Sequence, residues 1–179
     1  MEEIKNDRSA KEVVPDLERK SHIAKRWEKR LEEAGFTITG RDLERPWGGY
    51  FEIDESQSKS FIRSFLTEYP QKGWPTGRLS PKILLVQPDK RLSWQYHKRR
   101  SECWQVVEGP VGVVRSPIDE QGELSHHEEG DLITLGQGER HRLVGLEAWG
   151  VIAEIWVHTD PENPSSEEDI VRVEDDFGR

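Results

Sequence analysis

Between Lys82 and His158 the chain carries a succession of short strand-like segments with no helical spacing among them, and this run limits the possible folds most. The segments are Ile83 to Val86, Leu92 to His97, Glu102 to Arg115, Glu123 to His127, Asp131 to Leu135, Arg142 to Leu146 and Val151 to His158. Each is rich in β-branched or aromatic residues and is bounded by Gly, Pro, Asp or Asn. Strands this closely spaced, without crossover helices, predict an all-β core built as an antiparallel sandwich or barrel. The length of 179 residues is enough for one buried core. Seven Trp residues have to find cover in it, because rings of that size seldom stand wholly in water.

The segments before this core differ in texture. Residues up to about Lys20 are polar, include Pro15, and are expected to be frayed. From Ser21 to Ala34, Ile23, Trp27 and Leu31 recur every fourth residue among Lys, Arg and Glu, which predicts an amphipathic helix. Ser21 is the expected N-cap and Gly35 the expected stop. That stripe suits packing on the protein's own barrel or on a second subunit, and is too thin to anchor a membrane. A second helix is expected from about Gln57 to Tyr69, with Phe61, Ile62 and Phe65 on its apolar side. Pro, Gly and Lys crowd the segment from Pro70 to Pro81, which predicts a loop. The chain is thus divided into a tail and amphipathic helix over 1–44 and a barrel over 45–179, with a helical insertion near 56–69.

The formal net charge of −9 argues against general binding to nucleic acid or an anionic membrane, since both reward a basic face. A small anion remains possible, because it responds to a local field such as that of Lys98, Arg99 and Arg100. No apolar run is long enough to span a bilayer. The stretch from Met1 to Val14 is charged and lacks the apolar segment of a secretory signal. The single cysteine, Cys103, forms no internal disulfide and fits a reducing compartment, so a cytoplasmic location is expected.

Four residues have the pattern of a metal site. In an extended Gln95-Tyr96-His97, strand alternation puts Gln95 and His97 on one face. A basic turn follows, and Glu102 opens the next segment, where a hairpin would bring it back beside His97. Glu102, Trp104 and Val106 share a face, so the carboxylate points the same way as two apolar neighbours. A buried carboxylate is costly unless a cation compensates it, and a divalent metal is one such cation. Downstream, a glycine-rich turn from Gly136 to Arg140 ends in His141, which shares a face with Leu143. One amide oxygen, one carboxylate and two imidazoles suit a single divalent ion, zinc first, with manganese, iron or nickel also compatible. His22, His126, His127 and His158 are expected to be solvated. Phosphate-binding glycine loops and Ser/His/Asp or Cys/His nucleophile patterns are absent from the sequence.

These residues carry a resemblance. Leu92-Ser93-Trp94-Gln95-Tyr96-His97, Arg100-Ser101-Glu102-Cys103-Trp104 and Gly138-Glu139-Arg140-His141-Arg142-Leu143 resemble the cupin domain of type II mannose-6-phosphate isomerases. The likeness starts at Arg45-Pro46-Trp47-Gly48 and ends with Asp169-Ile170-Val171-Arg172 and Asp176-Phe177-Gly178-Arg179. It implies a cupin double-stranded β-helix, or jelly-roll barrel, with the metal held inside by Gln95, His97, Glu102 and His141. It further implies that Arg100, Arg172 and Arg179 face the barrel mouth and that Lys82 matches a lysine on the first barrel strand. Such cations suit a phosphorylated sugar as partner. Proteins of this kind are often dimeric, so a homodimer is expected. The transferase domain often fused to this cupin is not in the sequence, and nucleotide-sugar synthesis is not expected. The chain departs from the family at Arg99, where histidine is common, at Gly136, where proline is common, and in a longer stretch between Tyr50 and Lys82.

The implied reaction is aldose–ketose isomerisation of a sugar phosphate through an enediolate, which needs a general base and nearby positive charge. Glu154 is the first candidate base, being a lone acid in the apolar strand Val151 to Trp156. A partnership with Arg142 or another barrel arginine explains it equally well. Arg179 is the candidate to hold phosphate or polarise an oxygen. Two rival readings remain from the sequence, a non-catalytic sugar-phosphate-binding module and a metal-dependent dioxygenase.

Overall fold

The computed structural model describes residues 16–69 and 75–178. The expected frayed tail before Asp16, residues 70–74 of the expected loop, and Arg179 lie outside the described residues. Helix α1 spans Asp16–Glu33, so it starts five residues before the expected cap and Ser21 lies inside it. Leu, Glu, Arg and Lys are good helix formers and extend the helix backward from the apolar stripe. The stripe itself is as expected: Ile23, Trp27 and Leu31 are buried. The chain leaves the helix at Gly35, whose φ of 81° suits glycine. There Gly35 N–H donates to Glu32 O and Phe36 N–H to Leu31 O, each at 2.9 Å.

Strands β1 (Ile38–Asp42) and β2 (Gly48–Ile53) follow and pair with each other. A short 3₁₀ turn at Glu55–Gln57 leads into helix α2 (Ser58–Phe65), shorter than the expected span to Tyr69. Its buried side chains include Phe61, Ile62 and Phe65, as the spacing predicted. The barrel strands are β3 (Leu79–Val86), β4 (Trp94–His97), β5 (Arg100–Glu108), β6 (Val111–Ser116), β7 (Leu124–His127), β8 (Leu132–Leu135), β9 (Arg140–Gly145), β10 (Gly150–His158) and β11 (Ile170–Glu174). β3 therefore begins within the expected loop. The single long strand expected over Glu102 to Arg115 is broken at Gly109-Pro110. Proline has no N–H for a sheet ladder, and the break lets the chain pass from one sheet to the other.

Two antiparallel sheets result, ordered β1-β2-β3-β10-β5-β8 and β11-β4-β9-β6-β7. From β3 onward the chain repeatedly crosses between them. Alternation along the strands separates two apolar clusters. Leu84, Val86, Trp104, Val106 and Ile152 point inward, where they meet Val111, Val113 and Leu143 of the opposite sheet. Ile83, Leu85, Cys103, Val151, Ala153 and Ile155 point outward and are covered by Ile23, Trp27, Leu31, Phe61 and Phe65. Trp27 and Phe65 lie 6.0 Å apart between centroids, which ties the two helices together. The apolar stripe of α1 is thus spent on the protein's own sheet and not on a membrane or a partner chain. No helix among the described residues is long and apolar enough to cross a membrane.

Candidate metal centre

The inner face of the first sheet carries a polar row where apolar residues would otherwise continue. On adjacent strands Glu154 stands opposite Lys82 and Trp104, Trp156 opposite Glu102, and His158 opposite Arg100. Across the interior, Gln95 stands opposite His141 in the ladder of β4 and β9. Directly opposed residues project to the same side of a sheet, and Gln95 and His97 alternate to that same side. Glu102 therefore approaches His97 and His141 across the gap between sheets. The expected hairpin return does not exist: β4 and β5 belong to different sheets, and the turn at Lys98-Arg99 carries the chain over the gap.

The convergence is close. Ligand atoms of His97, Glu102 and His141 all lie within 4.8 Å of one another, and all three residues are buried. His97 Nε2 is 3.0 Å from Glu102 Oε1, and His141 Nε2 is 3.4 Å from Glu102 Oε2. His141 Nδ1 is 2.9 Å from the Glu139 carbonyl oxygen, which can only accept. The proton of a neutral His141 ring is therefore on Nδ1, and Nε2 presents a lone pair to a carboxylate oxygen. His141 Nε2 and Glu102 Oε2 are both buried without a hydrogen bond. Two facing acceptors with no proton between them require a cation, either a proton on His141 or a metal ion. The residues thus fit a divalent ion, and the Glu139 carbonyl orients His141 as carbonyls orient ligating histidines elsewhere. Gln95 is buried nearby, with its amide oxygen accepting from Ser93 Oγ at 2.6 Å. The glycine turn is docked to this centre, since Gly138 N–H donates to His97 O at 2.8 Å.

Arg100 connects the centre to a cavity. Its Nε donates to Glu102 Oε1 at 2.8 Å, its Nη1 to Ser165 Oγ at 2.8 Å, and its guanidinium stacks 3.4 Å from the Trp156 ring centroid. Burial opposes ionisation of Glu102, but His97 and Arg100 outweigh it and hold the carboxyl well below its usual range. The walls of this open cavity include Arg45, Gln95, Arg100, Glu154, Glu167 and Arg172. Glu154 is buried and accepts from Trp104 Nε1 at 2.9 Å. Burial, and then the negative charge of Glu102, push its pKa up to about 8 against the attraction of Lys82 and Arg100. Arg142 is not its partner: that side chain faces Gln121, Glu174 and Asp176. Lys82 is buried and ion-paired, with Nζ 2.6 Å from Glu167 and 3.3 Å from Glu52.

The histidines outside the centre are as expected except one. His22 and His126 are exposed, and His127 is part-exposed beside Ser125 Oγ. His158 is not solvated but buried, accepting from Ser165 N–H through Nδ1 at 3.0 Å with Nε2 2.7 Å from Ser80 Oγ. Its place at the end of a strand looked open in sequence, and the returning segment after Asp160 covers it. Glu167, Ser165 and Trp156 line or support the cavity without any local signal that marked them. Cys103 is buried on the outward face, with its thiol pushed up to about 12 by burial.

A two-sheet jelly roll with histidines and a carboxylate converging inside defines this chain as a cupin. The fold agrees with solved structures: the Lactobacillus farciminis oxalate decarboxylase formate complex matches with a TM-score of 0.53 at 15% identity, over 74% of this chain and 33% of that one. Vicilin from hazelnut, Corylus avellana, matches with a TM-score of 0.52 at 14% identity, over 74% of this chain and 35% of that one. The sequence narrows the class further. Residues 75–175, more than half of the chain, match the family model of the mannose-6-phosphate isomerase C-terminal region, and the chain belongs to that family. Alginate biosynthesis protein AlgA of Pseudomonas putida is 31% identical over 153 residues, covering 84% of this chain and 26% of that protein. A mannose-1-phosphate guanylyltransferase of Salmonella montevideo is 29% identical over 150 residues, covering 84% of this chain and 26% of that protein. The chain spans about a quarter of the length of these relatives.

Proposed function

We propose that this chain is a metal-dependent sugar-phosphate isomerase that interconverts an aldose and a ketose, of the mannose-6-phosphate type. The observation that carries the reading is the convergence of His97, Glu102 and His141 beside a cavity whose wall holds Arg45, Arg100, Glu154 and Arg172. Glu154 lies on the strand next to Glu102 and is buried facing the same interior, and burial raises its pKa in the metal-free protein. Glu154 is the group assigned to the proton: as carboxylate it takes a proton from one carbon, and as acid it returns it to the next. His97, Glu102 and His141, with Gln95, would hold one divalent ion, for which zinc fits the donor set. That ion would supply positive charge beside the two substrate oxygens as negative charge develops there. Arg100 keeps Glu102 aimed and contributes further positive charge to the cavity wall. Arg45, Lys82 and Arg172 bring the cationic character that a phosphorylated sugar needs, and Arg179 remains a candidate for the same role. Membership of the mannose-6-phosphate isomerase C-terminal family, together with relatives named for mannose 1-phosphate chemistry, supports a phosphorylated hexose as substrate.

The test is direct. Metal-loaded protein mixed with mannose 6-phosphate should produce fructose 6-phosphate, followed by NMR. Glu154→Gln should lower turnover by roughly 10²- to 10⁴-fold, the usual worth of a positioned acid–base group, with little change in ligand binding. No interconversion of any hexose 6-phosphate by the loaded protein would refute the isomerase. Ligand-dependent melting shifts without turnover would instead assign a non-catalytic binding role.

A further inference from the structure

The carboxylate of Glu167 bridges two cations that belong to different parts of the fold. Its Oε1 is 2.6 Å from Lys82 Nζ on β3, and its Oε2 is 3.9 Å from Nη2 of Arg45, which precedes β2. The partners differ in permanence. The Lys82 side chain is 4% exposed and the Glu167 side chain 33%, so the cation is fixed in the wall and the anion reaches in from outside. The Lys82 ammonium also lies over the Trp156 and Tyr50 rings, at 3.7 and 4.7 Å from their centroids. Glu167 itself rides on a polar segment, residues 159–169, held over the barrel end by hydrogen bonds rather than by an apolar anchor. These include Ser165 N–H to His158, Arg100 to Ser165 Oγ, and the contact of Arg99 with Asp169. Glu167 also forms part of the wall of both the cavity beside Glu154 and a second one behind Lys82.

We propose that Glu167 is an internal stand-in for the phosphate of the substrate, and that only an anionic ligand can displace it. The inference rests on the sugar-phosphate reading above. Withdrawing Glu167 without replacement takes the nearest anion from buried Lys82 and leaves Glu52, at 3.3 Å, and Glu154, opposite it in the ladder, to compensate the charge, and an under-compensated buried cation is costly. A neutral sugar cannot make up that loss. A phosphate can, since its oxygens reach Lys82 and Arg45 together by charge-assisted hydrogen bonds. Repulsion from Glu52 directs the phosphate to the Arg45 side, which is the wall of the cavity that holds Glu154. Glu167 therefore sets a threshold: phosphorylated sugars enter by exchange, and unphosphorylated ones are excluded by an ion pair they cannot replace.

Calorimetric titration of the full chain with inorganic phosphate tests this without any turnover. Glu167→Gln should bind phosphate roughly tenfold more tightly than the wild type, the scale of one charged hydrogen bond no longer competed for. Adding Lys82→Met to that variant should abolish the gain. A Glu167→Gln variant that binds phosphate no better than wild type overturns the proposal. Hydrogen exchange on the wild type gives an independent reading: saturating phosphate should speed exchange at the amides of Ser165 to Asp169, and unchanged or slower exchange overturns it as well. Because neither readout depends on isomerisation, failure of the enzyme assay and failure of the exchange mechanism are separable.

Discussion

Glu154 couples the chemistry of the cavity to the stability of the fold. Its carboxyl ionises near 4.5 in an unfolded chain and at about 8 in the folded one, so between those values the folded state holds a proton that the unfolded state has lost. Its contribution to stability is complete below 4.5 and is lost as the pH rises toward 8. Buried His97 and His158 act in the opposite sense, because burial lowers their ionisation below 6.5 and stability falls as the pH drops through that value. The window from 6.5 to 8 therefore isolates Glu154. In metal-free protein, the wild type should lose stability across that window by up to about 1.4 kcal/mol per pH unit, and Glu154→Gln should show a flat profile. Urea denaturation at a series of pH values measures this directly. Equal slopes in both proteins would show that Glu154 is already ionised. Loading a divalent ion should flatten the wild-type slope, since a neighbouring cation favours the carboxylate.

At the scale of elements, the entry to the barrel depends on the turn from Arg45 to Tyr50. Gly48 has φ of 144°, and a Cβ added there would lie 1.8 Å from the carbonyl oxygen of Leu85. β2 can lie against β3 only because this residue has no side chain. Gly48→Ala should cost more than ~2 kcal/mol through strain and displaced backbone, read as a lower denaturation midpoint with little change in slope. The same pairing sets Glu52 opposite Lys82, so the variant should also loosen the cationic wall. Helix α1 shows the reverse relation between pattern and position. Its every-fourth-residue stripe was plain in the sequence, yet periodicity alone did not say which surface would receive it. The outward face of the first sheet receives it, because Ile83, Leu85 and Ile155 would otherwise be left in water. The strand at β1, with Gly40 inside and no alternation of apolar residues, had no such signal and exists through its pairing with β2.

For the molecule as a whole, the candidate metal centre joins the two sheets, with Glu102 from one and His97 and His141 from the other. An ion held there would act as a staple as well as a reagent, stabilising the fold in proportion to its occupancy. Zinc should raise the melting temperature of the wild type, and a chelator should reverse the rise. His97→Ala and His141→Ala should each keep the fold but lose both the bound metal and the zinc-dependent rise, as checked by elemental analysis and thermal melts. Full metal occupancy in both variants would rule the site out.

Residue order alone sets what lies on which face. Alternation placed Glu102 with Trp104 and Val106, placed Gln95 with His97, and kept Cys103 on the opposite side, because side-chain direction in a strand is a local property of the backbone. Which faces meet is settled by long-range packing. That β4 and β5 lie in different sheets, that His158 is roofed by the segment after Asp160, and that Glu167 reaches Lys82 across 85 residues of chain are outcomes of long-range pairing. Such pairings follow from the summed burial of two sheets, and no short window of residues contains that sum.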